Sequence, residues 1–560
     1  MCGIFALCNY TSQNISEDYI ERSFMLGKNR GPEFSSLKYV SINMKFGFHR
    51  LAINGINAES NQPLVRDTVS LICNGEIYNY KELYKLLEIE PQSDSDCEVI
   101  IHLYKKFGMN DTLKLLDGVF AFALLDNNGL DTKMYVARDP YGVRPLYMFQ
   151  EDNYIGFGSS MTMLKELTNT NINHFKPGTF MKLTLPPTVS AIWEISETHT
   201  YHTLPFSQIG TRDGYDYESI FENIRTLLTR AVYKRCVTSD RPIACLLSGG
   251  LDSSLIAALV NKYHEEYNLP QLETYCIGVE GSVDIKSAEM VANYLGTKHT
   301  SVIIREDDFF NAIPEVIKNI ESYDTTTVRA SLGNYLVAKY ISYNSEAKVI
   351  FSGEGSDELT GGYLYMNQAK DCIEFDLECK RLLSDIHLFD VTRSDKSISN
   401  HGLEPRVPFL DREFVQYYLS LPKELRYRTG ELPDFDTYKF CEKFLLRKSF
   451  ESTGLLPEEI LWRTKEAFSD GVSSHKKSLF EIIQERVHIE DDEDKEQCIH
   501  NQPKTTEQHY YRRIFETHFP RQSHIIPYFW MPRFIKATDP SARTLNIYYD
   551  SNPELAERSL

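Results

Sequence analysis

The chain has 560 residues, of which 42% are hydrophobic and 25% are charged, the proportions of an ordinary folded globular protein. Its formal net charge of -19 disfavours a broad surface for nucleic acid or an anionic membrane, because such a surface would repel phosphate groups. The sequence contains neither an apolar run of about 18 uncharged residues nor a secretory signal, so we expect a folded cytoplasmic protein.

The N-terminal part of the chain is predicted to be mostly sheet. Its apolar segments are short and are separated by Gly, Asn and Asp, which is typical of strands and turns. These segments read MKFGFHRLAI, TVSLICNGEIYN, GVFAFALLD, KMYVARD and YIGFGSS. Helices are predicted near residues 16–28 and 95–117. We therefore predict one α+β domain over residues 2–190.

A change of pattern separates this domain from the rest of the chain. Residues 200–217 show no sustained periodicity and carry Pro, Gly and other turn-forming residues, so we predict a linker over 191–217. From residue 218, predicted strands alternate with helices, which is typical of a doubly wound parallel sheet. Helical and irregular segments follow from residue 367. We therefore predict an α/β domain with a helical C-terminal part over 218–560.

The turn SGGLDSS is the strongest chemical signal in the second domain. It lies between a predicted buried strand and a long predicted helix, where open parallel sheets bind their ligands. Its glycines would let the backbone approach an anion, and the helix N-terminus would add partial positive charge. The alternative is a tight turn without a ligand, but the full strand, turn and helix context favours a phosphate site.

This turn differs from the phosphate loop of kinases and GTPases, because it has no lysine that could reach a terminal phosphate. It resembles instead the loop of the ATP pyrophosphatase superfamily, which grips the β and γ phosphates of ATP during adenylation. We therefore predict that Ser248, Gly249, Gly250 and Ser253 bind ATP. Asp252, in the same loop, suits a Mg²⁺ ion that neutralises the departing pyrophosphate.

A second predicted strand end, FSGEGSDELTGGY, repeats this chemistry. Small residues allow close backbone approach, and Glu354, Asp357 and Glu358 lie among them. The same residues would also form an acidic cap of a helix, and both interpretations can hold together. Further along, Lys465 in WRTKEAFSDG would by itself belong to an ordinary charged loop.

Cys2 has an unusual position for a cysteine. If Met1 is removed, the α-amino group of Cys2, with an ordinary pKa of about 8, lies within reach of its own sulfur. The residue would then combine a nucleophile and a base, and no histidine would be needed. The alternative is a chance position, since the chain has 11 cysteines.

Five further residues could complete a site for an amino-acid amide. A thiolate that attacks an amide needs an oxyanion hole, which the Asn74 side chain and the Gly75 backbone N–H could supply. Arg50 suits the substrate carboxylate, whereas Glu76 and Asp96 suit its ammonium group. Each is an ordinary turn or surface residue when taken alone, but their joint occurrence favours a site.

Taken together, these motifs resemble the glutamine-hydrolysing asparagine synthetase family across nearly the whole chain. The first half is similar to a class II glutamine amidotransferase domain, through MCGIF, NRGPE, HRLAI, NGEIYNY, SDCEVI, DGVFAFALLD and ARDPYGVRPLY. The second half resembles the synthetase domain, through LLSGGLDSS, YDTTTVRAS, FSGEGSDELTGGYLY, EPRVPFLD and WRTKEAFSDG. The resemblance implies an αββα fold with an N-terminal nucleophile in the first domain.

The resemblance also implies a reaction at two sites. Cys2 would attack glutamine and release ammonia, which would pass through an internal tunnel to β-aspartyl-AMP made from aspartate and MgATP. The products would be asparagine, glutamate, AMP and pyrophosphate. A homodimer is expected from the family.

Several residues take their expected roles only from this resemblance. The positions that match the nucleotide-binding sites of the family are Leu246, Ile277, Ser352 and Gly353. Asp252 and Asp357 match its Mg²⁺ and pyrophosphate residues. Glu354 matches a glutamate needed around the intermediate, and Lys465 matches a lysine near the phosphates.

Two positions depart from the family pattern, and three alternatives stay open. Asn29 and Glu33 stand where histidine and aspartate are common, which bears on the rate of glutamine hydrolysis. The alternatives are a relative that adenylates another carboxylate, such as a β-lactam synthetase, an amidotransferase domain joined to a different acceptor domain, and a non-catalytic protein that kept the fold. Cys2 argues against the first and SGGLDSS against the second. The joint presence of Cys2, Asp252 and Lys465 argues against the third.

Overall fold

The computed structural model describes most of the chain. The described residues are 2–11, 15–129, 131–151, 154–186, 192–208, 215–427, 441–465, 471–472, 478–487 and 499–544. Met1, part of the predicted linker and the residues that directly follow Lys465 therefore lie outside the described residues.

The first part of the chain forms two six-stranded sheets. Its strands are β1 (Gly3–Cys8), β2 (Phe34–Ser41), β3 (Met44–Arg50), β4 (Leu64–Arg66), β5 (Val69–Ile77), β6 (Gly118–Asn128), β7 (Asp131–Arg138), β8 (Tyr147–Glu151), β9 (Tyr154–Gly158), β10 (Asn173–His174), β11 (Thr179–Leu185) and β12 (Glu194–Thr200). Its helices are α1 (Glu17–Met25), α2 (Tyr80–Leu87) and α3 (Val99–Leu115). The strand orders are β10-β8-β9-β1-β3-β2 and β12-β11-β7-β6-β5-β4, and neighbouring strands run antiparallel.

The two sheets pack face to face because alternate residues of each strand point to opposite sides. In β1, Ile4 and Ala6 pack into the core between the sheets, whereas Phe5 packs toward α1. In β6, Ala121 points into the same central core, whereas Phe120 packs toward α2 and α3. Helices thus cover the outer faces of two central sheets, so the predicted αββα architecture is confirmed.

The sheet of the first domain extends into the predicted linker, so its predicted end at residue 190 is too early. Within 191–217, β12 pairs with β11, and Thr200 lies opposite Thr179. Trp193 is 2% exposed, and its backbone exchanges two hydrogen bonds of 2.8 Å with the side chain of Asn9. The strand was not predicted because its sequence, EISETHT, is polar and mostly exposed.

The second part of the chain is built on a five-stranded parallel sheet. Its strands are β13 (Ile243–Leu246), β14 (Glu273–Gly278), β15 (Lys298–Ile303), β16 (Val349–Phe351) and β17 (Glu404–Arg406), in the order β15-β14-β13-β16-β17. Its described helices are α4 (Tyr217–Val237), α5 (Leu251–Glu266), α6 (Val283–Leu295), α7 (Glu306–Ile320), α8 (Thr325–Asn344), α9 (Ser356–Thr360), α10 (Cys372–Asp385), α11 (Asp390–Ser399), α12 (Arg412–Ser420), α13 (Lys423–Arg426), α14 (Phe444–Phe450), α15 (Glu458–Leu461), α16 (Leu479–Arg486) and α17 (Thr506–His518). None of the helices in these ranges is both long and apolar enough to cross a bilayer.

The topology brings the two predicted loops of the second domain together. β13 pairs with β14 on one side and with β16 on the other, and the chain direction along the sheet reverses at this point. SGGLDSS follows β13, and SGEGSDE follows β16. Because the carboxyl ends of parallel strands meet at one edge of a sheet, both loops lie at the usual ligand site of such a fold.

Candidate active sites

Cys2 is held beside Asn74 just before β1. The Cys2 backbone N–H donates to Asn74 Oδ1 at 2.9 Å, and the thiol lies 3.7 Å from the Leu51 carbonyl oxygen. Asn74 is fully buried, and its Nδ2 group has no hydrogen-bond partner among the described residues. Such a donor is costly unless a ligand satisfies it. The Asn74 amide is thus available for the oxyanion role predicted from the sequence.

Burial is the largest influence on the Cys2 thiol and raises its pKa, while a hydrogen bond with the Leu51 backbone lowers it. A thiol in this environment needs a nearby base to form the thiolate. The neighbouring Gly75 is required by the sheet, because a side chain there would lie 2.5 Å from the Val119 carbonyl oxygen of β6.

Arg50 shapes the loop that follows β3. Its guanidinium donates to the carbonyl oxygens of Asn57, at 2.7 Å, and of Gly55. Asn54, at the start of this loop, donates through Nδ2 to Glu76 Oε2 at 2.5 Å. Arg50 therefore supports the loop next to Glu76, and its binding of a substrate carboxylate stays a prediction.

Glu76 and Asp96 form a buried acidic pair at the end of β5. Asp96 Oδ2 accepts a hydrogen bond of 2.6 Å from the Ile77 N–H, and Glu76 Oε2 lies 3.3 Å from Arg406 Nη2 of the second domain. Burial raises the pKa of Asp96 to about 6, with a further contribution from the Glu404 carboxylate. Burial, Glu404 and Asp96 also raise the pKa of Glu76. Such an acidic pocket would favour a ligand that carries an ammonium group.

The residues predicted to bind nucleotide come together in the second domain. The predicted residues that line one cavity are Leu246, Ser248, Gly250, Asp252, Ser253, Ile277, Ser352, Gly353, Glu354, Asp357 and Lys465. Ser352 Oγ is buried there and has no hydrogen-bond partner among the described residues. Gly249 instead packs against α6: its φ is +73°, and a side chain would lie 2.4 Å from the backbone carbon of Ser287.

The two loops of this cavity are in direct contact. A side chain on Gly353 would lie 2.7 Å from Asp252 Cβ, so glycine is needed where the second loop crosses the first. Ser356 Oγ donates to Asp252 Oδ1 at 2.8 Å and joins the loops through a hydrogen bond. Within the first loop, the Ser248 N–H donates to Ser253 Oγ at 3.1 Å.

Two lysines lie against the carboxylates of these loops. Lys443 Nζ lies 2.5 Å from Asp252 Oδ2 and 2.5 Å from Asp357 Oδ1. Lys465 Nζ lies 2.6 Å from Asp357 Oδ2. Burial alone would raise the pKa of Asp357, but the two ammonium groups outweigh it and hold that pKa well below its usual value. Burial alone would lower the pKa of Lys465, but the carboxylates of Asp357 and Asp252 outweigh this effect and raise that pKa above its usual value.

The carboxylate pair fits a Mg²⁺ ion that is bound together with a nucleotide. Protein sites for Mg²⁺ commonly use one or two carboxylates together with phosphate oxygens and water. Among the described residues, no group of three or more His, Cys, Asp or Glu side chains is arranged to hold a metal by itself. Asp252 and Asp357 already converge on a cation, the Lys443 ammonium group, so their oxygens suit a shared positive charge.

Glu354 is bound by Arg393, which lies outside the sequence motifs of the site. Arg393 donates through Nη1 to Glu354 Oε1 at 2.8 Å and through Nη2 to Glu354 Oε2 at 2.5 Å. Arg393 Nη2 also donates to Asp390 Oδ1 at 2.9 Å. Burial raises the pKa of Glu354, and the Arg393 charge opposes this rise. Lys443 and Arg393 lie far along the chain from their partners and outside any recognised motif, so the sequence carried no local signal for them.

The two positions that depart from the family pattern lie where the two domains meet. Glu33 Oε2 accepts from the Ala52 N–H at 2.7 Å, and Glu33 Oε1 accepts from Arg241 Nη2 at 2.7 Å. Asn29 Nδ2 lies 3.4 Å from Asn400 Oδ1. Both side chains therefore make contacts between the domains.

The fold and the two sites define a glutamine amidotransferase domain joined to a nucleotide-binding synthetase domain. Residues 1–214 match the family described as glutamine amidotransferase domain, and residues 223–375 and 373–531 match the family described as asparagine synthase. The chain is 44% identical to asparagine synthetase [glutamine-hydrolyzing] of Gallus gallus, over 98% of this chain and 99% of that protein. It is 43% identical to the protein of the same name from Cricetulus griseus, also over 98% of this chain and 99% of that protein. The chain belongs to the asparagine synthetase family.

Proposed function

We propose that the protein makes asparagine from aspartate, with glutamine as the nitrogen donor and ATP as the activating co-substrate. The observation that carries this proposal is a combination found in one chain. Cys2 lies beside an Asn74 amide group with no partner among the described residues, and residues of SGGLDSS line a nucleotide cavity together with Asp357 and Lys465. Near-full-length similarity to relatives named asparagine synthetase [glutamine-hydrolyzing] supports the same reaction. The enzyme is thus a carbon–nitrogen ligase.

In the first half-reaction, Cys2 hydrolyses glutamine after Met1 has been removed. Its α-amino group takes the thiol proton, and the thiolate attacks the carboxamide carbon. The Asn74 amide and the Gly75 N–H donate to the oxyanion, which collapses to a glutamyl thioester as ammonia leaves with the transferred proton. Water then hydrolyses the thioester to glutamate. Arg50 holds the glutamine carboxylate, and Glu76 and Asp96 hold its ammonium group.

In the second half-reaction, the β-carboxylate of aspartate attacks the α phosphorus of ATP and displaces pyrophosphate. Ammonia then attacks the resulting β-aspartyl-AMP and displaces AMP. Lys465, with its pKa raised above the usual value, stays charged and stabilises the charge that develops on the phosphates. Glu354, held by Arg393, contacts the reacting intermediate. The residues that bind the rest of the nucleotide are Leu246, Ser248, Gly250, Asp252, Ser253, Ile277, Ser352 and Gly353, whereas Gly249 packs the loop against α6.

Mg²⁺ that arrives with ATP would neutralise charge on the departing pyrophosphate. Asp252 and Asp357 would hold it, because their carboxylate oxygens converge and supply the hard donors that this ion prefers. Lys443 adds a fixed positive charge at the same place.

The wider organisation of the enzyme is also proposed. The amidotransferase unit begins at residue 2, the synthetase unit occupies 218–560, and ammonia travels uncharged between them, since ammonium is not a nucleophile. We also propose a cytoplasmic location and, as the family resemblance implies, a homodimer. Sedimentation of the purified protein tests the dimer.

The test of this function is a product analysis with purified, Met1-processed protein. The protein receives aspartate, MgATP and either glutamine or ammonium, and asparagine, AMP, ADP and pyrophosphate are quantified. The expected result is asparagine with equal amounts of AMP and pyrophosphate, and Cys2→Ala should lose this activity with glutamine but keep it with ammonium. ADP in place of AMP would contradict the adenylation step. AMP without asparagine would mean that another molecule accepts the nitrogen.

A further inference from the structure

The C-terminal segment, residues 528–541, lies against the synthetase domain without forming a helix or a strand. An irregular backbone satisfies few of its own hydrogen bonds, so its position depends on contacts with the rest of the fold. The segment is nevertheless well packed: Trp530 is 6% exposed and belongs to a hydrophobic cluster with Tyr365, Phe375 and Leu382. Its contacts therefore show which part of the domain it supports.

Two contacts fix the C-terminal segment to α8. The Trp530 N–H donates to Asp324 Oδ1 at 2.7 Å, and Asp324 is the fully buried residue that caps the start of this helix. Further along, Asp539 accepts two hydrogen bonds of 2.8 Å from the Arg329 guanidinium, which is 3% exposed. Such bidentate pairs are among the strongest polar contacts in proteins. The segment is thus held against a helix that lines the nucleotide cavity through Thr326.

The Trp530 side chain packs on a tyrosine in the wall of that cavity. Its ring lies 5.3 Å, centroid to centroid, from the ring of Tyr363, which lines the cavity. Trp530 itself is not among the described residues that line it. Tyr363 follows Gly361 and Gly362, and Gly361 has a φ of +69°. Because glycines restrict the backbone little, the contact with Trp530 fixes the direction of the Tyr363 ring.

Tyr363 in turn holds the carboxylate of Glu358, on α9. Its hydroxyl donates to Glu358 Oε1, and Glu358, which is 2% exposed, also lines the cavity. Burial and the carboxylates of Asp390 and Asp357 raise the pKa of Glu358, whereas the hydrogen bond from Tyr363 lowers it. Tyr363 therefore both orients this carboxylate and favours its ionised form.

An ionised carboxylate in this cavity distinguishes between the two substrates of adenylation. It attracts the ammonium group of aspartate, whereas it repels the phosphates of ATP. Displacement of Glu358 should therefore weaken the binding of aspartate and leave the binding of ATP unchanged.

We propose that the C-terminal segment supports the synthetase site from outside and that Trp530 is a positioning residue, which fixes Glu358 through Tyr363. This inference rests on the proposed function, since it concerns the aspartate that is adenylated. Trp530 contributes to the binding of aspartate without touching either substrate.

The test measures aspartate-dependent exchange of pyrophosphate into ATP in the full-length enzyme, with KM determined separately for aspartate and for ATP. We expect Trp530→Leu to raise KM for aspartate by about tenfold, the upper range for the loss of one aromatic pair, and to leave KM for ATP unchanged. Trp530→Phe keeps an aromatic ring against Tyr363 and should restore most of the wild-type KM. Phe534→Leu is the matched control and should keep that KM, because Phe534 lies in the same segment but its ring contacts that of Tyr365, at 6.1 Å between centroids.

A double-mutant cycle tests whether Trp530 acts through Tyr363. Tyr363→Phe removes the hydroxyl that holds Glu358, so it should raise KM for aspartate by itself. Trp530→Leu should then add little to Tyr363→Phe, because residues that act through one contact are not additive. Asp539→Asn leaves Trp530 intact but weakens the contact with Arg329, and it should raise KM for aspartate by a smaller factor than Trp530→Leu. Glutamine hydrolysis, measured in every variant, detects a general fold defect.

The outcomes separate this inference from the proposed function. If Trp530→Leu hydrolyses glutamine normally but keeps the wild-type KM for aspartate, or if Phe534→Leu raises that KM equally, the positioning role is wrong and the function stands. Additive effects of Trp530→Leu and Tyr363→Phe would also exclude it. If Trp530→Leu fails to fold, Asp539→Asn decides, since a wild-type KM for aspartate in that variant would show that the segment does not support the site. If the wild type shows no aspartate-dependent exchange, the proposed function itself fails.

Discussion

Lys443 joins two carboxylates that come from different loops, with Nζ 2.5 Å from Asp252 Oδ2 and 2.5 Å from Asp357 Oδ1. Its side chain is 1% exposed, so the ammonium group is a fixed part of the nucleotide site. Gly362 makes room for it, because a side chain there would lie 2.0 Å from Lys443 Cε. The lysine offsets the repulsion between the two carboxylates, and Lys465 adds a second positive charge at Asp357.

We expect Lys443→Met to lower aspartate-dependent exchange of pyrophosphate into ATP by on the order of 100-fold, because it removes a preorganised positive charge next to the phosphates. Glutamine hydrolysis, measured alone in the same protein, should be unaffected. Lys448→Met is the matched control, since Lys448 lies on α14, the helix that follows Lys443, and pairs with Glu451 away from the cavity. Equal exchange rates in both variants would exclude Lys443 from the nucleotide site.

The Asn74 side chain is expected to perform two functions that substitution can separate. Its Oδ1 accepts from the Cys2 N–H at 2.9 Å, and its Nδ2 has no partner in the described residues. Asn74→Asp keeps an acceptor but loses the donor, so glutamine hydrolysis should fall by about 100-fold to 1,000-fold, the usual effect of one missing oxyanion donor. Ammonium-dependent synthesis should be unchanged. A small effect of Asn74→Asp alongside a large effect of Asn74→Ala would assign Asn74 to positioning Cys2 alone.

Much of the fold could be predicted because the periodic patterns are local. The segment GVFAFALLD alternates between the two faces of β6, and the strand, turn and helix around SGGLDSS follow one another directly. Short or polar elements were missed: β12 is exposed and polar, and β17 has only the residues EPR. The tertiary sheet, and not the local sequence, makes these segments strands.

The residues of the candidate nucleotide site also fall into two groups, those within a local sequence motif and those outside any motif. Glu354 and Asp357 share a motif with the end of β16, so the sequence was sufficient to predict them. Lys443, the residue before α14, and Arg393, on α11, reach the same cavity from positions that are distant in sequence from its two loops. These two residues can be identified only in the folded structure, because the evidence for each is the carboxylate with which it pairs.

The two glycines of SGGLDSS should respond differently to alanine. Gly249 has a φ of +73°, and a side chain there would lie 2.4 Å from the Ser287 backbone, so Gly249→Ala forces either strain or movement of α6. At Gly250, whose φ is -76°, a side chain would lie 3.4 Å from Ser248 Oγ. We expect thermal unfolding to show a loss of about 1–3 kcal/mol for Gly249→Ala, the usual cost of a strained backbone. Gly250→Ala should unfold like the wild type, and equal losses in both would contradict the packing argument.

The Asp96 carboxyl group predicts an acid limit for glutamine hydrolysis. Its pKa is about 6 in the folded protein, above its ordinary value of 3.8, mainly because of burial. The charged groups around it are Glu404, which raises its pKa, Arg406, which lowers it, and Glu76, whose own pKa is raised by Asp96. Since the ionised form is needed to hold the glutamine ammonium group, we expect kcat/KM for glutamine to fall as pH decreases below 6.

The raised pKa of Asp96 affects stability in the opposite direction, because the folded protein becomes less stable as pH rises. Between pH values of about 4 and 6 the folded protein keeps a proton on Asp96 that the unfolded chain has lost. The contribution of this group to stability is therefore complete below pH 4 and is lost as pH rises through 6. Asp96→Asn, which is always neutral, should remove this part of the pH dependence of unfolding.

Glutamate release from glutamine alone, measured between pH 5 and 8, separates the two effects. The wild type should lose kcat/KM on the acid side through a rise in KM, and Asp96→Asn should have a high KM across the whole range. Asp94→Asn is the matched control, because Asp94 lies two residues earlier, is exposed and contacts Asn57. An acid limit in Asp96→Asn at the same pH and depth as in the wild type would show that the titrating group is another carboxylate, and Glu76 would then be the residue to change.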